Sequence, residues 1–205
     1  MKKIREHWKP IVFTICIILF VFITRLLLRD EISTFDSFVY NIVSKDKCEP
    51  VTFIAKFLSF LCSVWFLFLV TILCMIFMKN KKEAFYIALN IILCVLLNQC
   101  LKYLFLRPRP ENINLIIEDG YSFPSGHSMV SLAFYGFFLY IIYHLKISKR
   151  KKWIYCSLLA LLTLLIGLSR IYLGVHYASD VLAGFALSMA YLIVFIKTFY
   201  KKIGI

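Results

Sequence analysis

What this chain lacks is polarity. Glycine contributes 7 of its 205 residues, proline 5 and charged side chains 17%, while hydrophobic residues reach 61%. A soluble domain of this size does not carry so apolar a composition, and the chain reads as an integral membrane protein. Its seven cysteines include no CxxC pair, so neither a disulfide framework nor a thiolate metal site is supported. Six of them (Cys16, Cys62, Cys74, Cys94, Cys100 and Cys156) fall in apolar stretches as small buried residues, and Cys48 stands alone in a loop. No repeat of fixed period is visible and the connections are short, so 1–205 reads as a single domain. The first segment also lacks a small-residue cleavage site. After the basic leader MKKIREHWKP, the run IVFTICIILFVFITRLLL continues unbroken to RDE. It reads as a retained anchor, with Arg25 snorkelling from its far end.

What the chain has is long apolar runs. A bilayer core about 30 Å thick takes roughly 20 apolar residues in a helix. Six stretches qualify, near 11–28, 57–78, 84–106, 127–145, 153–172 and 177–196. In lipid a helix satisfies its own backbone, so the expected fold is all-α, a bundle of six transmembrane helices. The charge pattern orients it. With the N-terminus in the cytoplasm, six crossings gather fifteen cations inside, from Lys2, Lys3, Arg5 and Lys9 to Lys197, Lys201 and Lys202, against Glu6 and Glu83. The remaining nine cations and nine anions cancel, leaving the whole net charge of +13 on the inner side. This is the positive-inside pattern of an N-in, C-in protein in the cell membrane. The KISKRKK run (146–152) is therefore a topology signal, and no nucleic-acid partner is expected.

The outer-side charges then carry information. In the 29–50 loop, ISTFDSFVYNIV (32–43) spaces Ile32, Phe35, Phe38, Val39, Ile42 and Val43 as on a helix. That predicts a short amphipathic helix lying in the outer interface between spans 1 and 2, either covering the bundle or guiding a substrate. Asn90, Asn98 and Gln99 in the third span are expected to hydrogen-bond between helices. His7 and His144 lie at the cytoplasmic edge.

Three stretches reach the same outer face: KYLFLRPRP (102–110), YSFPSGHS (121–128) and SRIYLGVHYASD (169–180). Ionisable residues at such depth are costly and are functional candidates. In the first, Pro108 and Pro110 push Arg107 and Arg109 toward extended backbone, so that an arginine turns back to Lys102. A lysine offers a point charge and an arginine a planar fork for phosphate. Snorkelling to lipid headgroups is the competing role, above all for Arg107. In the second, Pro124 is placed to start a helix whose first turn is Ser125, Gly126 and His127. Its free N–H groups and dipole make an anion site, approached closely at Gly126, with Ser125 a donor or a cap. In the third, His176 and Asp180 are four apart and would share a helical face. The carboxylate would fix the tautomer and leave the other ring nitrogen to attack, with Arg170 reaching back as a third cation. The same spacing suits a zinc site or a structural brace. Three cations around one carboxylate, however, would repel a dication and attract an anion.

Phosphoryl transfer needs its oxygens held and its charge stabilised. Lys102, Arg109, Arg170, Ser125 and Gly126 fit that holding role. His176 fits the nucleophile, Asp180 its orienter, and His127 the acid for the leaving oxygen and then the base for water. No metal or cofactor is required.

These motifs resemble the signature of the type 2 phosphatidic acid phosphatase superfamily. Its pattern appears here as Lys102 to Arg109-Pro110, then Pro124-Ser125-Gly126-His127, then Ser169-Arg170 to His176 and Asp180. The matching half is 102–180. The resemblance implies a six-helix core, a phosphohistidine mechanism independent of metals, and the same roles for His176, Asp180 and His127. It implies a membrane lipid phosphate as substrate: undecaprenyl diphosphate, phosphatidylglycerophosphate or phosphatidic acid. A phosphotransferase using the same phosphohistidine, or a non-catalytic lipid-phosphate carrier, stays open. A carrier needs the cations but not the two imidazoles. Oligomeric state is not legible.

Overall fold

A computed structural model describes residues 8–111 and 113–200. Lys2, Lys3, Arg5, Glu6, Lys201 and Lys202, which entered the charge pattern, and His7 lie outside the described residues. Among the described residues the protein is helical, with no strand. The helices are α1 (Trp8–Leu28), α2 (Ser33–Val43), α3 (Glu49–Phe60), α4 (Val64–Phe77), α5 (Lys81–Phe105), α6 (Gly126–His144), α7 (Lys149–Tyr172) and α8 (Ala178–Phe195). A π-helical turn, Ile196–Tyr200, continues α8. Polar residues set the boundaries. Ser63, Asn80, Ser125 and Ser148 each cap a helix by accepting a backbone N–H from its first turn.

Among the described residues five helices are long and apolar enough to cross a membrane: α1, α5, α6, α7, and α8 with its π turn. The second expected span, near 57–78, is not one helix. It is the pair α3 and α4, bent by 49°, and only the two taken together have the length and apolarity of a sixth span. No proline or glycine explains the break at 61–63. The freed Leu61 carbonyl instead accepts the Tyr135 hydroxyl at 2.7 Å, and Ser63 Oγ caps α4 through Phe66 N. The lost helical bonds are thus replaced by partners on α6 and in the turn itself. This bend leaves Ser59, at the end of α3, beside the start of α6.

Helix α6 is central and packs against α5, α7 and α8, while α1 lies along α8. Met129, Ala133, Phe134 and Phe137 of α6 meet Ile166 and Leu192 in the main core. Asn90 donates to Ala133 O at 2.7 Å and Asn98 to Pro124 O at 3.0 Å, both tying α5 to the α6 segment. Gln99 does not join them, because its position faces outward.

The amphipathic segment is helical as its spacing predicts, but its apolar stripe is split. Asp36, Val39, Tyr40 and Val43 turn toward α7 and α8, whereas Phe35, Phe38 and Ile42 are exposed. Helix ends then converge. The C-termini of α5 and α7 meet the N-termini of α6 and α8, stitched by Ser125 N to Asp180 O at 3.0 Å and Leu115 N to Leu173 O at 2.8 Å. The opposite end holds the lysine-rich α4–α5 and α6–α7 turns and the Tyr200 hydroxyl, 3.1 Å from Glu83 Oε1.

Candidate active site

Local rules of helix termination explain why Arg170 and His176 meet. Helix α7 stops at Leu173, and Gly174 follows at φ +72°. Gly174 N then bonds Ile171 O at 3.0 Å and Val175 N bonds Arg170 O at 3.3 Å. This pair of bonds is a Schellman motif, which suits a glycine with left-handed backbone. It folds the chain straight back, so His176 emerges beside the last turn that carries Arg170.

The next helix closes the unit. His176 precedes α8 and does not share a helical face with Asp180, contrary to the spacing argument. Asp180 sits in the first turn, where Oδ2 accepts Tyr177 N at 2.9 Å and faces His176 Nδ1 at 3.4 Å. One carboxylate therefore caps α8 and braces the imidazole together. His176 Nε2 lies 3.2 Å from Arg109 Nη1. Burial, then the positive fields of Arg170, Arg109 and Lys102, hold the His176 ring well below its usual range, so it is neutral near pH 7.

Arginine 109 is held by backbone carbonyls of Val175, Gly120 and Asp119 at 2.8–3.0 Å. Its Nη2 is 3.4 Å from Glu118 Oε2. Arg170, fully buried, donates from Nη1 to Ser59 Oγ and forms an ion pair through Nη2 with Glu118 Oε1. Lys102, near the end of α5, is partly buried and within electrostatic range of Arg109, Glu118, Asp180 and Arg170. Glu118 bridges the two arginines. Burial opposes its ionisation, but Arg170 first and other nearby cations outweigh that and keep the carboxyl below its ordinary range.

The FPSGHS segment departs from expectation in two details. Pro124 precedes the cap rather than starting the helix; Ser125 is the N-cap, its Oγ accepting from Ser128 N and Ser128 Oγ. At Gly126, an added Cβ would stand 3.0 Å from Asn98 Oδ1, so the bare position is filled by Asn98. His127 follows, its Nε2 3.4 Å from Ser59 Oγ. The N–H groups of Gly126 and His127, ahead of the capped Ser128, have no acceptor within the helix.

Arginine 107 does not snorkel to lipid. Its side chain is 10% exposed, and Nη1 meets Asp180 Oδ1 at 2.6 Å while Nη2 meets Asp36 Oδ2 at 2.7 Å. The guanidinium lies 3.9 Å from the centre of the Tyr177 ring. Glu118, Ser59, Asp36 and Arg107 were thus missed as site residues in the sequence. For Asp36 the available signal was a lone carboxylate on the same helical face as Val39, Tyr40 and Val43. Among the described residues, no three His, Cys, Asp or Glu side chains are grouped to hold a metal ion.

The chain resembles known proteins in sequence and in fold. Over 110 residues the chain is 43% identical to phosphatidylglycerophosphatase B of Bacillus subtilis (strain 168), an alignment covering 53% of each protein. The chain thus spans about half the length of that relative. It is 24% identical over 189 residues to an undecaprenyl-diphosphatase of Sulfolobus acidocaldarius, covering 89% of this chain and 87% of the other. The fold matches the crystal structure of a transmembrane PAP2-type phosphatidylglycerolphosphate phosphatase from Bacillus subtilis with a TM-score of 0.80 and 26% identity. That match covers 95% of this chain and 96% of the other. Aquifex aeolicus LpxE matches at a TM-score of 0.64 and 26% identity, over 77% and 92% of the two chains. The model of the PAP2 superfamily matches residues 83–203, which include the arginines, both histidines and the aspartate of the convergent helix ends, and the chain belongs to that superfamily.

Proposed function

We propose that the protein hydrolyses a membrane lipid phosphate or diphosphate through a phosphohistidine intermediate, at the extracytoplasmic end of the bundle. One observation carries the reading. His176 is buried and neutral, faces Asp180 through Nδ1, and turns Nε2 to Arg109. A neutral imidazole with Nδ1 braced keeps its lone pair on Nε2, where it accepts from Arg109 Nη1. That lone pair is released for attack when the guanidinium turns to a phosphoryl oxygen.

In the first step Nε2 of His176 bonds to phosphorus as the bond to the leaving oxygen breaks, and His127 donates a proton to that oxygen. Asp180 faces the positive charge that develops on the ring. In the second step His127 takes a proton from water, the resulting hydroxide attacks phosphorus, and the P–N bond breaks to release inorganic phosphate. Lys102, Arg109, Arg170, Ser125 and the first-turn N–H groups at Gly126 hold the equatorial oxygens. Arg170 Nε is buried without an acceptor among the described residues, which suits a guanidinium built to receive an anion. Glu118 pairs with both Arg109 and Arg170 and gives way to the incoming phosphoryl group. These cations supply the charge stabilisation, and no metal is invoked.

The side assignment is supported by the lysine-rich turns at the opposite end of the bundle, through the positive-inside pattern. Phosphatidylglycerophosphate and undecaprenyl diphosphate head the substrate panel because the relatives' names carry them, and phosphatidic acid completes it. The test is phosphate release by the detergent-purified protein with EDTA present. Release that His176→Ala abolishes, with an acid-labile phosphoryl label on the wild-type chain, is the expected result. No release from any lipid would shift the reading to a transferase or a carrier.

A further inference from the structure

We propose that Asp36 is a positioning residue for the reaction, acting on His176 through Arg107 and Asp180; the proposal rests on the phosphatase reading above. Helix α2 lies outside every motif of the site, yet its single inward carboxylate is 3% exposed and fully engaged. Oδ1 accepts Ser179 N at 2.8 Å, and Oδ2 accepts Ser179 Oγ at 2.8 Å and Arg107 Nη2 at 2.7 Å. The other arm of Arg107 donates to Asp180 Oδ1 and to Ser179 Oγ. Asp180 then turns Oδ2 to His176. The order Asp36, Arg107, Asp180, His176 is a chain of alternating charge ending on the nucleophile.

Stability alone is a poor reason for such a chain, since burying ion pairs rarely repays their desolvation. Two physical consequences point to the nucleophile instead. An arginine fork held at both arms has one orientation, so Asp180 Oδ1 is pinned and Oδ2 is left facing Nδ1. Charge is the second. Arg107 alone would neutralise Asp180; with Asp36 the three side chains sum to −1, and that charge lies beside the ring that becomes cationic. Asp36 also binds the N–H of Ser179 in the first turn of α8, fixing the helix that carries Asp180. A small cavity of about 70 Å³ is lined by both Asp36 and His176, so α2 forms a wall of the nucleophile's surroundings.

The experiment is a double-mutant cycle in detergent with a radiolabelled lipid phosphate, comparing wild type, Asp36→Asn, Asp180→Asn and the double variant. Asp36→Asn is expected to lower kcat about tenfold with KM within twofold. In the Asp180→Asn background the same change is expected to cost less than twofold, because the relay is already cut. Equal losses in both backgrounds, or no loss in either, would overturn the proposal. Should Asp36→Asn not be recovered folded, Ser179→Ala removes one donor to the same carboxylate and is expected to lower kcat two- to fivefold; an unchanged kcat overturns it. A wild-type protein that releases no phosphate defeats the phosphatase reading itself, and this proposal with it.

Discussion

Glu118 and Arg170 form an ion pair inside the site, Oε1 against Nη2. The second carboxylate oxygen faces Arg109 at 3.4 Å. Two oxygens on two guanidinium groups is what a phosphoryl group would present there. The site therefore carries its own anion on a loop, and on the proposed reading a phosphoryl group would compete with it.

Removing that competitor without changing its shape should tighten anion binding. Glu118→Gln is expected to lower the inhibition constant for orthovanadate by about fivefold, corresponding to about 1 kcal/mol, with kcat changed less than threefold. Inhibition curves for the two proteins decide it. Weaker vanadate binding in the variant would mean that Glu118 builds the arginine pair rather than filling it.

The Ser59 hydroxyl has only one proton, and Arg170 can only donate to it. Its second lone pair faces His127 Nε2, 3.4 Å away, and can accept Nε2–H of the protonated ring, which leaves Nδ1–H as the free donor. That is the proton assigned to the leaving oxygen. An acid matters most when the leaving group is poor. Ser59→Ala is expected to slow release from a lipid phosphate about tenfold, and from p-nitrophenyl phosphate less than threefold. Equal losses on both substrates would remove Ser59 and the Nδ1 proton from the acid step.

Part of this site was open to reading in the chain, and the reason is local. The spacing from Arg170 to His176 is fixed by a helix stop, and from His176 to Asp180 by a helix start, so both are written in consecutive residues. The apolar runs were legible because lipid demands length. What escaped depends on packing between distant segments. Nothing in the order of residues says that Asp36 meets Arg107, 71 positions away, or that Ser59 meets Arg170, 111 positions away. The α3–α4 bend escaped for the same cause: its compensating partner, Tyr135, lies on another helix. Arg107 was misread because an arginine at a helix end has two outlets, and the carboxylate that draws it inward comes from α2.

Acid should destabilise the protein through His176 and Glu118 together. Both are held below their ordinary ranges in the fold, so the unfolded chain binds more protons as pH falls. The contribution of His176 is complete above its unfolded pKa of about 6.5 and is lost as pH drops toward its folded value. The Glu118 contribution is lost lower, below about 4.3. One group contributes at most about 1.4 kcal/mol per pH unit. Thermal midpoints in detergent at pH 7.5 and pH 5.5 test this. The fall on acidification is expected to be smaller in His176→Gln than in wild type, and an equal fall would place His176 outside the linkage.

Two glycines with positive φ separate backbone strain from steric contact. Gly120 has φ +74° and Gly174 φ +72°, so alanine at either meets the same left-handed penalty, roughly 1–3 kcal/mol. Their surroundings differ. A Cβ at Gly120 has nothing within 4 Å, whereas at Gly174 it would stand 2.4 Å from Ile113 O, a backbone atom that cannot swing aside. The loop there is tied to α7 by Leu115 N on Leu173 O, and Val175 and His176 follow directly. Gly174→Ala must therefore push the loop off α7 or move Val175 and His176. Gly120→Ala is expected to lower Tm by a few degrees and leave kcat within threefold. Gly174→Ala is expected to lower Tm further and to reduce kcat/KM more than tenfold. Matching losses in the two variants would mean that strain alone acts, and that the seat of His176 does not depend on the packing of Gly174 against the loop.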